Sequence, residues 1–75
     1  MINIEDLKEE IKTNRFDEGV FTSENEKGET VVVEKRFGYL KTSTYQSNNW
    51  IRINIYHYDH NTNTWTEEEL YDRWK

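Results

Sequence analysis

The most regular pattern in the chain is the alternation Trp50-Ile51-Arg52-Ile53-Asn54-Ile55-Tyr56-His57-Tyr58. Successive side chains of a strand point to opposite faces, so Ile51, Ile53 and Ile55 are expected on one face, the core. Trp50, Arg52, Asn54, Tyr56 and Tyr58 share the other. That second face mixes aromatic and polar groups and needs either a cover or a ligand.

Upstream, Asn3 through Thr13 reads as a helix, with Ile4, Leu7 and Ile11 on one side and Glu5, Lys8, Glu9 and Lys12 on the wet side. Asn3 is placed to cap it, with Asp6 at the third helical position, and Asn14 reads as a left-handed stop. So short a helix needs a sheet to lie on. Phe16, Val20 and Phe21 open the next apolar segment, and a strand is expected from about Gly19 to Glu24. Asn25-Glu26-Lys27-Gly28 is hairpin-loop chemistry. Glu29 to Arg36 follows as a strand whose Val31, Val32 and Val33 suggest cover on both faces. Gly38 breaks the run, Tyr39 to Gln46 forms a third strand, and Ser47-Asn48-Asn49 turns into the isoleucine strand.

The last segment fits two templates. As a helix, Thr66 and Glu69 form a capping box and Trp65 staples to Leu70. As a strand after the polar loop 59–64, it covers the edge of the isoleucine strand and sets Tyr58 near Trp65 and Arg52 near Tyr71 or Asp72. The strand is the slightly favoured reading. Every link is short, so the expected fold is α+β: an N-terminal helix packed on an antiparallel β-meander of four to five strands, the last segment strand or short helix. Ile4, Leu7, Ile11, Val31, Val33, Leu40, Ile51, Ile53 and Ile55 are its expected core.

Seventy-five residues make one small domain spanning 1–75. The chain has no cysteine, which removes disulfides and thiolate metal sites and suits a reducing cytoplasm. No apolar run approaches the ~20 residues that span a bilayer, and the start lacks the pattern of a secretory signal, so a cytoplasmic location, in a host cell, is expected. A third of the residues are charged, which raises the question of disorder, yet three Trp, five Tyr and three Phe supply enough surface for a thin core. The net charge of −5 is unevenly spread: residues 1–34 sum to −6, 35–58 to +4 and 59–75 to −3. Acidic ends bracket a basic, aromatic middle.

Few residues suggest chemistry. His57, Asp59 and His60 are the only metal-like group, and their simpler reading is a strand rim and a solvated loop, with no fourth ligand elsewhere; neither a metal nor another cofactor is expected. There is no glycine-rich phosphate loop, no HExxH and no serine elbow, so an enzyme is not expected. The basic middle offers a single-stranded nucleic-acid face of Trp50, Arg52, Tyr56 and Tyr58 with Lys41, opposed by the acidic total. A third reading is a module whose aromatic face pairs with a second copy as a homodimer. The acidic ends offer the opposite of nucleic-acid binding. Glu9 and Glu10 on the helix and Glu67, Glu68, Glu69 and Asp72 near the end could occupy a basic groove built for nucleic acid, as a DNA mimic.

Two patches carry a family resemblance. Asn3-Ile4-Glu5-Asp6-Leu7 with Glu10-Ile11-Lys12, and Glu67-Glu68-Glu69-Leu70-Tyr71 with Asp72, resemble the opening helix and the acidic segment of the small phage anti-CRISPR proteins of Listeria that block type II-A Cas9. The matches cover about a quarter of the chain, and residues 19–58 depart from that family. The resemblance implies a helical final segment whose Glu67, Glu68, Glu69 and Asp72 sit on the PAM-reading surface of Cas9. The expected function is a non-enzymatic phage or mobile-element binding protein, an inhibitor that occupies a basic nucleic-acid-binding surface of a host defence protein.

Overall fold

The structure is a computed structural model that describes residues 2–13 and 18–74. The helix forms where the apolar spacing places it, as α1 (Ile4–Lys12), and Asn3 caps it by accepting a hydrogen bond from the Asp6 amide at 3.2 Å. At the far end the Thr13 amide and hydroxyl both donate to the Glu9 carbonyl. The expected stop at Asn14 and the apolar start at Phe16 lie outside the described residues.

Five strands follow: β1 (Gly19–Glu24), β2 (Thr30–Arg36), β3 (Tyr39–Gln46), β4 (Asn49–Asp59) and β5 (Thr64–Asp72). They pair antiparallel in the order β1-β2-β3-β4-β5, a meander. Each turn has its own chemistry. Asn25 organises the first, its Oδ1 accepting from the Lys27 and Glu29 amides while Gly28 takes φ 77°. Gly38, at φ 85°, closes the two-residue turn between Arg36 and Tyr39. Ser47 and Asn48 both have positive φ, 50° and 66°, the backbone of a tight hairpin whose twist matches its strands. In the last loop the Asp59 carboxylate accepts from the Asn61 amide. The final segment is thus a strand, and the helix implied there by the family resemblance is not formed.

One face of the sheet is covered. Ile11, Val31, Val33, Leu40, Tyr56 and Tyr58 form the buried cluster, with Ile2, Ile4, Leu7 and Trp65 packed against it. Fully burying a side chain such as Ile11 stabilises the fold by about 1.5–3 kcal/mol. Val32, between the two buried valines, is half-buried on the other face, which no described element covers.

The expected core face of β4 is corrected here. Ile51 is buried, but Ile53 and Ile55 are only half-buried, and Tyr56 and Tyr58, 9% and 7% exposed, lie beneath the helix instead. The cause is a bulge. Tyr45 pairs with Trp50, but its neighbour Thr44 pairs with Arg52, so Ile51 is an extra residue in β4. Inserting one residue exchanges the faces of everything beyond it. A regular ladder would have set Ile53 and Ile55 opposite Thr42 and Leu40; the bulge sets Asn54 and Tyr56 there. Two tyrosine rings bury more surface than two isoleucines. The Tyr58 hydroxyl donates to Asn63 Oδ1 at 2.9 Å, and Tyr56 lies opposite Glu67 of β5.

Candidate functional site

The acidic residues singled out from the sequence do not form one continuous patch. β5 is an edge strand, and its pleat sends Glu67 and Glu69, opposite Tyr56 and Asn54, to the helix side of the sheet. Glu68, opposite Ile55, goes to the open side. A second bulge, at Leu70, then places Tyr71 opposite Ile53 and Asp72 opposite Arg52. Asp72 is turned inward and meets Arg52 at 4.0 Å. Glu10 also turns inward, with one carboxylate oxygen shielded from water and Lys35 Nζ 3.6 Å away, tying α1 to β2. Glu9 is exposed. Glu67 and Glu69 therefore share their side with the helix acids, while Glu10 and Asp72 serve the fold.

Lys8 sharpens that division. Its ammonium lies 4.9 Å from the Tyr56 ring centre and 5.7 Å from that of Trp65, where cation–π attraction holds it with its stem packed down. The Lys8 side chain is only 20% exposed, whereas Glu5, its ion-pair partner at 3.7 Å, is 83% exposed. A base is withdrawn and an acid is left standing. Glu5 and Glu67 both bear on Tyr56: burial first, then the Glu67 charge, then that of Glu5, push its phenol above the ordinary value of 10.0. Glu67 stands opposite Tyr56 on β5 and Glu5 is tied to the Lys8 that lies over the same ring, so the two are points on a single acidic rim. Lys8 was not singled out from the sequence, where it reads as one more wet-side lysine. Trp65, a large ring beginning the acidic segment, is the only hint that an amphipathic stem would be needed.

The alternative nucleic-acid face is divided as well. Trp50 lies opposite Tyr45, on the open side, and the two rings meet edge-on at 6.2 Å. Lys41, opposite Ile55, is also on the open side. Arg52, Tyr56 and Tyr58 are on the helix side, the two tyrosines in the core and Arg52 against Asp72. Neither tyrosine offers a face for a base to stack on, and the five residues do not share a surface.

Of the metal-like group, His57 stands on the open side opposite Tyr39, and His60 stacks on Phe37 at 4.7 Å. Among the described residues no three His, Cys, Asp or Glu side chains converge as metal donors. No described helix is long and apolar enough to cross a membrane.

The open side has its own character. Across it run Val20, Glu34, Lys41, Ile55 and Glu68 in one row, and Thr22, Val32, Ser43, Ile53 and Tyr71 in the next. A shallow hollow of about 460 Å³ opens at one end, lined by Asn48, Asn49, Trp50, Ile53, Tyr71 and Arg73. Tyr39 donates a 2.7 Å hydrogen bond to Glu34, which chiefly raises its phenol above 10.0, with burial adding to the effect.

None of the protein-family models, curated proteins and solved structures compared with this chain matches it.

Proposed function

We propose that this chain is a non-enzymatic binding protein, an inhibitor whose acidic rim occupies a basic, nucleic-acid-binding surface of a partner protein. The observation that carries the reading is the rim itself. Glu5 and Glu9 on α1 and Glu67 and Glu69 on β5 project on one side of a rigid sheet, while Lys8 between them is drawn down onto Tyr56 and Trp65. Fixed carboxylates cost little further ordering on binding, and a concentrated negative field speeds encounter with a surface rich in Lys and Arg. The reading rests on this placement and not on the helical final segment that the anti-CRISPR resemblance implied. Cas9 remains the partner to try first, because its PAM-reading groove presents arginines that a row of carboxylates would engage. A phage or other mobile element is the natural carrier of such an inhibitor, acting in the host cytoplasm.

The test is a titration against a type II-A Cas9–guide RNA complex. Glu67→Lys and Glu69→Lys together lie on the helix side of an exposed edge strand and should leave the circular-dichroism spectrum unchanged while weakening binding about 100-fold or more. Undiminished binding by the folded double variant removes the reading.

A further inference from the structure

We propose that the open side of the sheet is the contact surface of a homodimer. Three features on that side lead to a second copy. First, it is apolar without being covered: Val20 is 58% exposed, Trp50 53% and Tyr71 43%, and Val32, Ile53, Ile55, Tyr39 and Tyr45 are half-exposed around them. A contiguous apolar face of this kind marks an interaction surface.

Second, the face carries less of the net charge than the rest of the molecule. Glu18, Glu24, Glu34, Asp59 and Glu68 stand there against Arg36, Lys41 and Arg73, a sum of −2, while the whole chain carries −5. The rest of the negative charge lies elsewhere, including the helix and the helix side of β5. Two copies approaching by any acidic surface repel each other. Approaching by the open sides, they meet a weaker field, and each carries both signs to offer its twin.

Third, the size allows it. The two longer extents of the molecule, 38 and 24 Å, bound a face of at most about 900 Å². A stable interface needs about 800 Å² from each partner. Two such sheets packed face to face give the layered core of a β-sandwich, in which β-branched and aromatic side chains interdigitate. The acidic rims then point away from the joint, so the dimer would present two of them. This arrangement does not depend on the proposed inhibitor function, and either can fail without the other.

Sedimentation equilibrium of the full chain from about 1 μM to about 1 mM tests it, a range that spans tight and weak dimers. The expected mass rises from the 9.2 kDa of the chain toward twice that value. Ile53→Glu should hold it at the monomer, with an unchanged circular-dichroism spectrum. A second variant guards against a folding defect. Lys41→Glu leaves the core alone but removes one of the bases on the face and adds like charge, and should weaken association about tenfold; adding Glu68→Lys should restore it. A monomer at every concentration, or a dimer that tolerates both Ile53→Glu and Lys41→Glu, overturns the proposal.

Discussion

At Tyr56 the fold and the acidic rim meet in one side chain. Its ring is buried in the cluster with Ile11 and Leu40, the Lys8 ammonium lies 4.9 Å over it, and Glu67 stands opposite it on β5. Truncation there should be expensive: Tyr56→Ala should cost about 3–5 kcal/mol in urea unfolding, the range for large aromatic deletions. Ile55→Ala, one position away on the open side, should cost less than about 1.5 kcal/mol. The opposite ranking would mean that β4 lacks its bulge. Both Tyr39 and Tyr56 hold their protons more tightly when folded than when unfolded. The sign of the pH effect follows from linkage. Below 10.0 both states are protonated and the contribution is fully present; above it the unfolded chain ionises first, so stability falls with rising pH through the folded values. Thermal unfolding followed upward from about pH 10 should show this loss, and a Tyr39→Phe, Tyr56→Phe double variant should lose less.

Among the elements, those marked by local chemistry were legible in the chain. Asn3 announces the start of α1, Asn25 through Gly28 and Gly38 announce two turns, and strand limits such as Gly19–Glu24 and Tyr39–Gln46 follow from them. The pairing of Tyr58 with Trp65 follows from folding the last segment back as a strand, which leaves Tyr71 or Asp72 for Arg52; the bulge at Leu70 makes it Asp72. The bulge at Ile51 was not legible, because nothing in Trp50-Ile51-Arg52 distinguishes a bulged residue from the next step of an alternation. That one residue decides which face of β4 is core and divides Trp50 from Arg52. The pleat of β5 distributes Glu67, Glu68 and Glu69 over two sides, and the second bulge, at Leu70, brings Asp72 to the helix side, which a string of acids does not reveal. The hairpin before the Ile51 bulge suggests a further experiment. Asn48 sits at φ 66°, where glycine carries no Cβ penalty, so Asn48→Gly should raise stability by up to about 1 kcal/mol in urea unfolding. A loss of stability would show that the Asn48 side chain has a role beyond the turn.

The molecule as a whole is sorted by charge into two sides. The helix side carries the acidic rim, where Glu5, Glu9, Glu67 and Glu69 stand around a retracted Lys8. The open side is less charged and more apolar, and is the face proposed to meet a twin. This separation lets one small domain present two surfaces of different chemistry, one proposed to meet a basic protein and one proposed to join copies. The central claim is that the acidic rim takes the place of nucleic acid on a basic partner, and the most direct measurement is competition. Fluorescence anisotropy of a labelled PAM-containing duplex bound to a Cas9–guide RNA complex would be followed while this protein is added, at low and at physiological salt. The predicted result is displacement of the duplex, with an inhibitor affinity that weakens as salt screens the charges. A duplex that stays bound under a large excess of the protein at both salt concentrations would contradict the account.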